Sequence, residues 1–368
     1  MVAVPRRFTL DGRMEDFSGR AVIPNKAELP VASRRQVLAA VNDRETGWFL
    51  QGAVAEASQS YGLELANPGT GGRALTAEDI MQRNPEVLLT CWSTPELPET
   101  WLQSAECRLR YICHLTGSVR HIVPRGFVER GGLVTNWGTI PSTTVAEQAL
   151  LLALAALRNL GRWPEIFRDP ASDSQRMERL RTRTLHGCRV GIHGFGQIAR
   201  ALVKLLAPFD VSISSYSPGV PPALFTNAGV TPASSLRALF ANSDVVFECE
   251  ALTARTRESV QAVELAALPD GAVLVNVARG GLINDEALLR EAISGRIRVA
   301  LDVFDSEPLR TDSPWLRVPG VVLSPHIAGP TFDQYPECTR AALANLQRYF
   351  GKQPLESIVT LEIYDRAT

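Results

Sequence analysis

The sequence predicts an α/β fold made of two successive parallel-sheet halves. Short apolar runs alternate with helical patterns from Gln36 onward, a second such series begins at Arg189, and a long Ala- and Leu-rich helical stretch at 143–160 stands between them. Alternation of this kind produces crossover units, and crossovers make neighbouring strands parallel. At 368 residues the chain is long enough for two domains with sizeable cores.

Residues 1–35 are rich in Arg, Pro and Gly and carry little periodicity. The first series then offers strands at 37–41, 86–90 and 109–113, with a shorter one at 133–135. The helix expected at 143–160 has Thr144 as its cap, Glu147 three residues on, and Gly161 and Pro164 to close it. The second series offers strands at 189–192, 211–214, 244–247, 272–275 and 299–301, with 321–323 as a further one. Helices are expected at 198–206, at 285–294 with Gly295 ending it, and at 333–350. The boundary between halves falls at the 143–160 helix, and the last helix is expected to cross back to the first half.

Composition removes several classes of function. A formal net charge of −1 provides no field to attract nucleic acid or an anionic membrane surface. The arginines crowded between Arg168 and Arg189 are interleaved with Asp169, Asp173 and Glu178, which reads as a solvated linker face. Six cysteines stand singly with no CxxC, so they read as buried small hydrophobes in a reducing cytoplasm, with no disulfide or metal framework expected. The longest apolar run, 149–157, is too short to span a bilayer, and no apolar signal segment follows the first residues.

The residues that carry chemistry lie in the second half. Gly194-x-Gly196-x-x-Ala199 follows one expected strand and opens a helix. In that context Gly194 permits a tight turn, Gly196 lets backbone approach a pyrophosphate, and Ala199 lets helix and strand pack closely. The motif alone does not separate a dinucleotide site from a nonbinding turn of the same shape. Further on, Arg279 in NVARGG, Glu307 in ALDVFDSEP and His326 in SPHIAG each follow a strand. In an open parallel sheet that edge is where ligands bind. Arg holds a carboxylate bidentately, His titrates near neutrality, and a nearby Glu favours the charged imidazole. His326 alone would read as a core histidine. With Arg279 and Glu307 in register, the three make a site for reducing a 2-oxo acid.

In the order and spacing of these motifs, roughly residues 85–350 resemble the D-isomer-specific 2-hydroxyacid dehydrogenase family. The resemblance implies two Rossmann-like domains, the second inserted into the first with a cleft between them: residues 1–142 plus 329–368 as substrate domain and 143–328 as dinucleotide-binding domain. It places the catalytic trio on Arg279, Glu307 and His326 and sets Asp302 near the nicotinamide carboxamide. Gln197 and Ile198 fall at the pyrophosphate, and Ser217, Val277, Ala278 and Gly329 complete the cofactor set. A small 2-hydroxy or 2-oxo acid is the implied partner, a homodimer the implied assembly, and NAD or NADP the implied cofactor. A noncatalytic NAD(H)-sensing protein of the same fold, corepressor-like, is the alternative.

Departures from the family pattern narrow these expectations. The substrate loop reads Leu-Thr-Gly-Ser-Val-Arg-His at 115–121, where the amides of Gly117, Ser118 and Val119 can still cradle a carboxylate. Arg120 and His121 replace the family's Asp-Asn, and Trp137-Gly138 replaces a common Thr-Pro. His114 replaces an Arg that helps bind phosphate in the phosphoglycerate enzymes, which disfavours that substrate. Cys249 replaces a common His. Ser217 stands where the family has an acid on the adenosine ribose. Without that charge a relaxed preference is expected, NADP being tolerated at least as well as NAD, and Ser217→Asp is expected to shift preference toward NAD.

Overall fold

The computed structural model describes residues 37–65, 75–169 and 173–366. The Arg/Pro/Gly-rich residues 1–35 lie outside them. The first sheet contains β1 (Val37–Ala40), β2 (Leu63–Leu65), β3 (Val87–Thr90), β4 (Tyr111–His114) and β5 (Leu133–Thr135) in the order β2-β1-β3-β4-β5, and every pairing is parallel. β1, β3 and β4 are buried along their whole length, which is why they read as unbroken apolar runs rather than alternating ones.

The chain then enters α1 (Ser142–Leu157) and leaves the first sheet. The second sheet contains β6 (Arg189–His193), β7 (Ser212–Tyr216), β8 (Thr231–Pro232), β9 (Val245–Glu248), β10 (Val273–Asn276), β11 (Arg298–Leu301) and β12 (Val322–Leu323). Its order is β12-β11-β10-β9-β6-β7-β8, again with every pairing parallel. The direction of winding reverses at β6, so the carboxyl ends of β6 and β9 bound the crevice where such sheets take ligands. Two helices of this half match expectation closely: α2 (Gln197–Leu206) and α3 (Asp285–Ser294). The Asn284 side chain accepts from the Ala287 amide at the start of α3, and Gly295, at φ +68°, ends it.

Helix α1 covers the second sheet, its Ala146, Ala149, Leu152, Ala153 and Ala156 sharing a core with Val190, Ile192, Val273, Val275 and Ala300. After β12 the chain returns to the first sheet. Helix α4 (Tyr335–Phe350) packs Cys338, Ala342 and Leu346 against Val37, Ala39, Leu89 and Cys113. Val359 and Tyr364 join Leu38, Leu88, Ile112 and Val134 on the other face. The second sheet is therefore inserted into the first. Two details of α1 differ from expectation. Its N-cap is Pro141, and Thr144 sits inside the first turn, its hydroxyl 3.0 Å from the Pro141 carbonyl oxygen and 3.1 Å from Gln334 Oε1. The helix stops at Leu157 because Asn159 turns left-handed, at φ +54°, before Gly161 and Pro164 are reached.

Candidate active site

The turn between β6 and α2 is shaped by contact. Gly194 has φ +88°, and a Cβ there would lie 2.6 Å from both the Cα and the N of Glu250. Only glycine lets the loop after β9 lie against this turn. At Gly196, by contrast, nothing lies within 4 Å of where a Cβ would be. Gly196 caps α2 without a side-chain hydrogen bond, so the first-turn amides, those of Gln197 and Ile198 among them, are donors without a side-chain cap. Ala199 is fully buried against the sheet. An open glycine at an uncapped ten-residue helix beside the switch point fits a dinucleotide pyrophosphate.

Arg279, Glu307 and His326 come together from the loops after β10, β11 and β12. Asn276 shapes the first loop: its amide donates to the Arg279 carbonyl (3.0 Å) and its Oδ1 accepts from the Ala278 amide (3.0 Å). Val277 and Ala278 are buried behind this loop. At Gly280 a Cβ would fall 1.9 Å from the Phe304 carbonyl carbon, so the first two loops are pressed backbone to backbone. Burial pulls the Arg279 guanidinium below its ordinary pKa, and the charge of Glu307 acts in the opposite direction. Glu307 is held at one oxygen by the Phe304 amide (2.9 Å), and its other oxygen lies 2.5 Å from His326 Nδ1. That leaves His326 Nε2 for another partner. His326 itself has φ +55°, a conformation costly for a non-glycine residue.

Asp302 holds that conformation. It is wholly buried, and it accepts hydrogen bonds from the Ser324 hydroxyl, the Ile327 amide (3.1 Å) and the Ala328 amide (3.0 Å). The carboxylate that the family pattern sets at the nicotinamide thus also staples the loop carrying His326. Ser324 accepts in turn from Gln148 of α1 at 2.8 Å. Gly329 lies against the first turn of α1, with Thr144 Oγ1 only 2.7 Å from where a Cβ would be.

The 117–119 loop follows β4. Asn136 Nδ2 donates to the Gly117 carbonyl (2.8 Å) and the Trp137 amide to that of Thr116 (3.2 Å), while Val119 is fully buried and Ser118 half-buried. The Trp137 indole lies over Gly117, 2.7 Å from where a Cβ would be. Beyond it runs a set of rings that sequence reading missed, because its members come from four distant segments. Trp92 is 6.3 Å from Trp137 and 6.5 Å from Tyr335 between centroids, Phe49 is 4.5 Å from Tyr335, and Phe332 is 5.5 Å from Tyr335. Trp92 and Phe332 remain 42% and 70% exposed, so the apolar wall faces solvent.

His114 lies wholly buried beneath this loop, Nδ1 2.9 Å from Thr90 Oγ1 and Nε2 2.6 Å from Thr116 Oγ1. Burial, aided by His121, pushes its pKa down from 6.5 to about 3. A protonated unfolded chain competes with this neutral histidine below the unfolded pKa. Stability from this site is therefore present above about 6.5 and is lost as pH falls toward about 3, at up to about 1.4 kcal/mol per pH unit. Denaturant unfolding of wild type and His114→Gln across that range checks this. The wild-type slope should exceed that of the variant, and equal slopes would refute the assignment.

Two further contacts were not legible in sequence. Ser217 Oγ donates to Glu250 Oε2 at 2.9 Å. His193, which carries no partner signature in sequence, pairs with Glu248 at 2.7 Å, both buried on adjacent strands.

Comparison with known proteins agrees with this fold. A family model described as D-isomer specific 2-hydroxyacid dehydrogenase, NAD binding domain, matches residues 150–328. A hydroxypyruvate reductase of Thermotoga maritima is 30% identical over 289 residues, covering 77% of this chain and 88% of that protein. A D-3-phosphoglycerate dehydrogenase of Methanocaldococcus jannaschii is 27% identical over 289 residues, covering 78% of this chain, which spans only 54% of that relative's length. The structure of D-mandelate dehydrogenase from Rhodotorula graminis superposes with a TM-score of 0.76 at 20% identity, over 88% of this chain and 97% of that one, a likeness of fold. The fold and site define a two-sheet α/β protein with a dinucleotide-type crevice. The chain belongs to the D-isomer-specific 2-hydroxyacid dehydrogenase family.

Proposed function

We propose that this chain is an oxidoreductase that transfers a hydride between a nicotinamide dinucleotide and a small D-2-hydroxy or 2-oxo acid. The observation that carries this reading is the Glu307–His326 pair, 2.5 Å apart, with the Glu307 loop pressed against the one that presents Arg279. Of the described residues, those within 143–328 form the dinucleotide-binding domain, and those before 143 and after 328 form the substrate domain. Gly194, Gly196, Gln197 and Ile198 would hold the pyrophosphate, and Ser217, Val277, Ala278, Asp302 and Gly329 would line the rest of the cofactor. Bound there, the dinucleotide would supply a hydride for C2 of an oxo acid or accept one from C2 of a hydroxy acid. Arg279 binds the acid carboxylate and orients the carbonyl, assisted by the Gly117, Ser118 and Val119 backbone. His326 Nε2 gives a proton to the carbonyl oxygen in reduction and takes it from the hydroxyl in oxidation. Glu307, on Nδ1, fixes the ring and leaves Nε2 directed to the substrate.

The rings at 49, 92, 137, 332 and 335 favour an acid with a bulky apolar substituent. Steady-state assay of purified protein with NADH or NADPH against glyoxylate, hydroxypyruvate and phenylpyruvate tests both parts. Phenylpyruvate should have the highest kcat/KM. Measured cofactor binding with no oxidation by any of the three acids would instead support a noncatalytic sensor.

We place the protein in the cytoplasm on the strength of its six free cysteines, all but Cys249 buried. Among the described residues no helix is long and apolar enough to cross a membrane. We also propose a homodimer. Leu151, Phe167 and Met177 are 56%, 85% and 64% exposed along 151–177, an apolar surface that a second copy would cover. Light scattering should return twice the chain mass for wild type and a smaller mass for Phe167→Asp; a monomeric wild type would refute the dimer.

A further inference from the structure

Ser217 and Glu250 are separated by 33 positions in sequence yet bonded at the carboxyl edge of the second sheet. Strand order explains the meeting. β7 and β9 are the two neighbours of β6, so the loops that follow them flank the Gly194–Gly196 turn. The loop after β9 is fixed there, because the Glu250 backbone occupies the space a Gly194 Cβ would need.

The Glu250 carboxylate is aimed as well as placed. Oε2 accepts from Ser217, Oε1 accepts from the Ala251 amide (2.9 Å), and the Glu250 amide donates to Glu248 Oε1 (3.0 Å). Glu248 Oε2 is in turn bonded to buried His193. Burial lowers the His193 pKa, but the Glu248 charge, its hydrogen bond and the Glu250 charge together leave it raised, so a cation forms most readily beneath the two acids. Each Glu250 oxygen spends one acceptor site within the protein, and an ionised carboxylate has about four. Two acceptor sites remain for a ligand.

Resting on the reading that this domain holds a nicotinamide dinucleotide, we infer that Glu250, steadied by Ser217, is the acid that receives the adenosine ribose hydroxyls and makes the site selective for NAD(H) over NADP(H). A 2′-phosphate at this place meets a carboxylate and a serine hydroxyl already committed to it. Residues 217–222, Ser-Pro-Gly-Val-Pro-Pro, offer no cation to offset that repulsion. The relaxed preference expected from Ser217 assumed that no acid reaches this position, and β9 supplies one. By the same geometry Ser217→Asp no longer favours NAD. It sets a second carboxylate against Glu250 and weakens binding of both cofactors.

The test is equilibrium binding without any acid substrate. NADH and NADPH are titrated into wild type, Glu250→Gln, Glu250→Ala and Ser217→Ala, read by fluorescence of the reduced nicotinamide. Thermal melting without cofactor confirms that each variant is folded. Wild type should bind NADH about ten- to a hundredfold more tightly than NADPH, the range set by charge-assisted hydrogen bonds. Both Glu250 variants should bring that ratio near one, chiefly by weakening NADH, and Ser217→Ala should lower it by a smaller factor. A wild-type ratio near or below one, or a ratio unchanged in a folded Glu250 variant, overturns the inference while leaving the dinucleotide reading intact. Failure of folded wild type to bind either cofactor overturns that reading and the inference with it.

Discussion

His326→Ala is expected to lower turnover of the best 2-oxo acid by about two to four orders of magnitude, the range of lost general acid–base catalysis. Cofactor affinity should stay near that of wild type. The asymmetry follows from position. His326 faces Glu307 with Nδ1 and leaves Nε2 open, whereas the turn proposed to hold the pyrophosphate follows β6, on a different strand. The ring is held from two sides, Glu307 at the nitrogen and Asp302 at the Ile327 and Ala328 amides. Glu307→Gln keeps the shape but weakens the bond that orients the ring at Nδ1. It should therefore cost less than His326→Ala, because the proton-transferring ring itself remains. Kinetics and cofactor titration on the same preparations separate the two effects. Wild-type turnover in folded His326→Ala would refute the proton-transfer role.

Arg279→Gln should lower kcat/KM for the acid by about 10²- to 10⁴-fold, the cost of losing two charge-assisted hydrogen bonds. The carboxylate is bound in ground and transition states alike, so most of the loss should appear as a raised KM, with a smaller fall in kcat from poorer orientation. Arg279→Lys keeps the charge without the planar fork and should recover only part of the activity. A kcat/KM for Arg279→Gln within a factor of about two of wild type would refute the anchor, since it is less than one such bond is worth.

What could be read from sequence followed from burial. Strands such as 87–90 and 245–248 lie inside a parallel sheet, and continuous apolar runs announce them. β2 and β8 escaped notice because they are edge strands of three and two residues, too short to carry a period. The trio of Arg279, Glu307 and His326 was legible because each residue directly follows a recognisable strand, and strand ends converge in this topology. The meeting of Glu250 with Ser217 was not, although Glu250 too follows a strand. The expected position for a ribose acid was the end of β7, and nothing local reports that the loop after β9 reaches across β6. Thr144 was misread for a related reason. Its spacing to Glu147 imitates a cap, but Pro141 already begins the helix and the Thr144 hydroxyl serves the segment before α4. The aromatic wall shows no pattern in sequence, because Phe49, Trp92, Trp137 and Tyr335 meet only when α4 returns to the first sheet.

The most direct measurement of the central claim is isotope transfer. Folded wild type is incubated with NADH deuterated at both C4 positions and phenylpyruvate, and the product is analysed by mass spectrometry and chiral separation. The account predicts a D-2-hydroxy acid with one deuterium on C2, and almost none of it from His326→Ala in the same time. Unchanged oxo acid from wild type with demonstrated NADH binding, tested across the glyoxylate, hydroxypyruvate and phenylpyruvate panel, would contradict it.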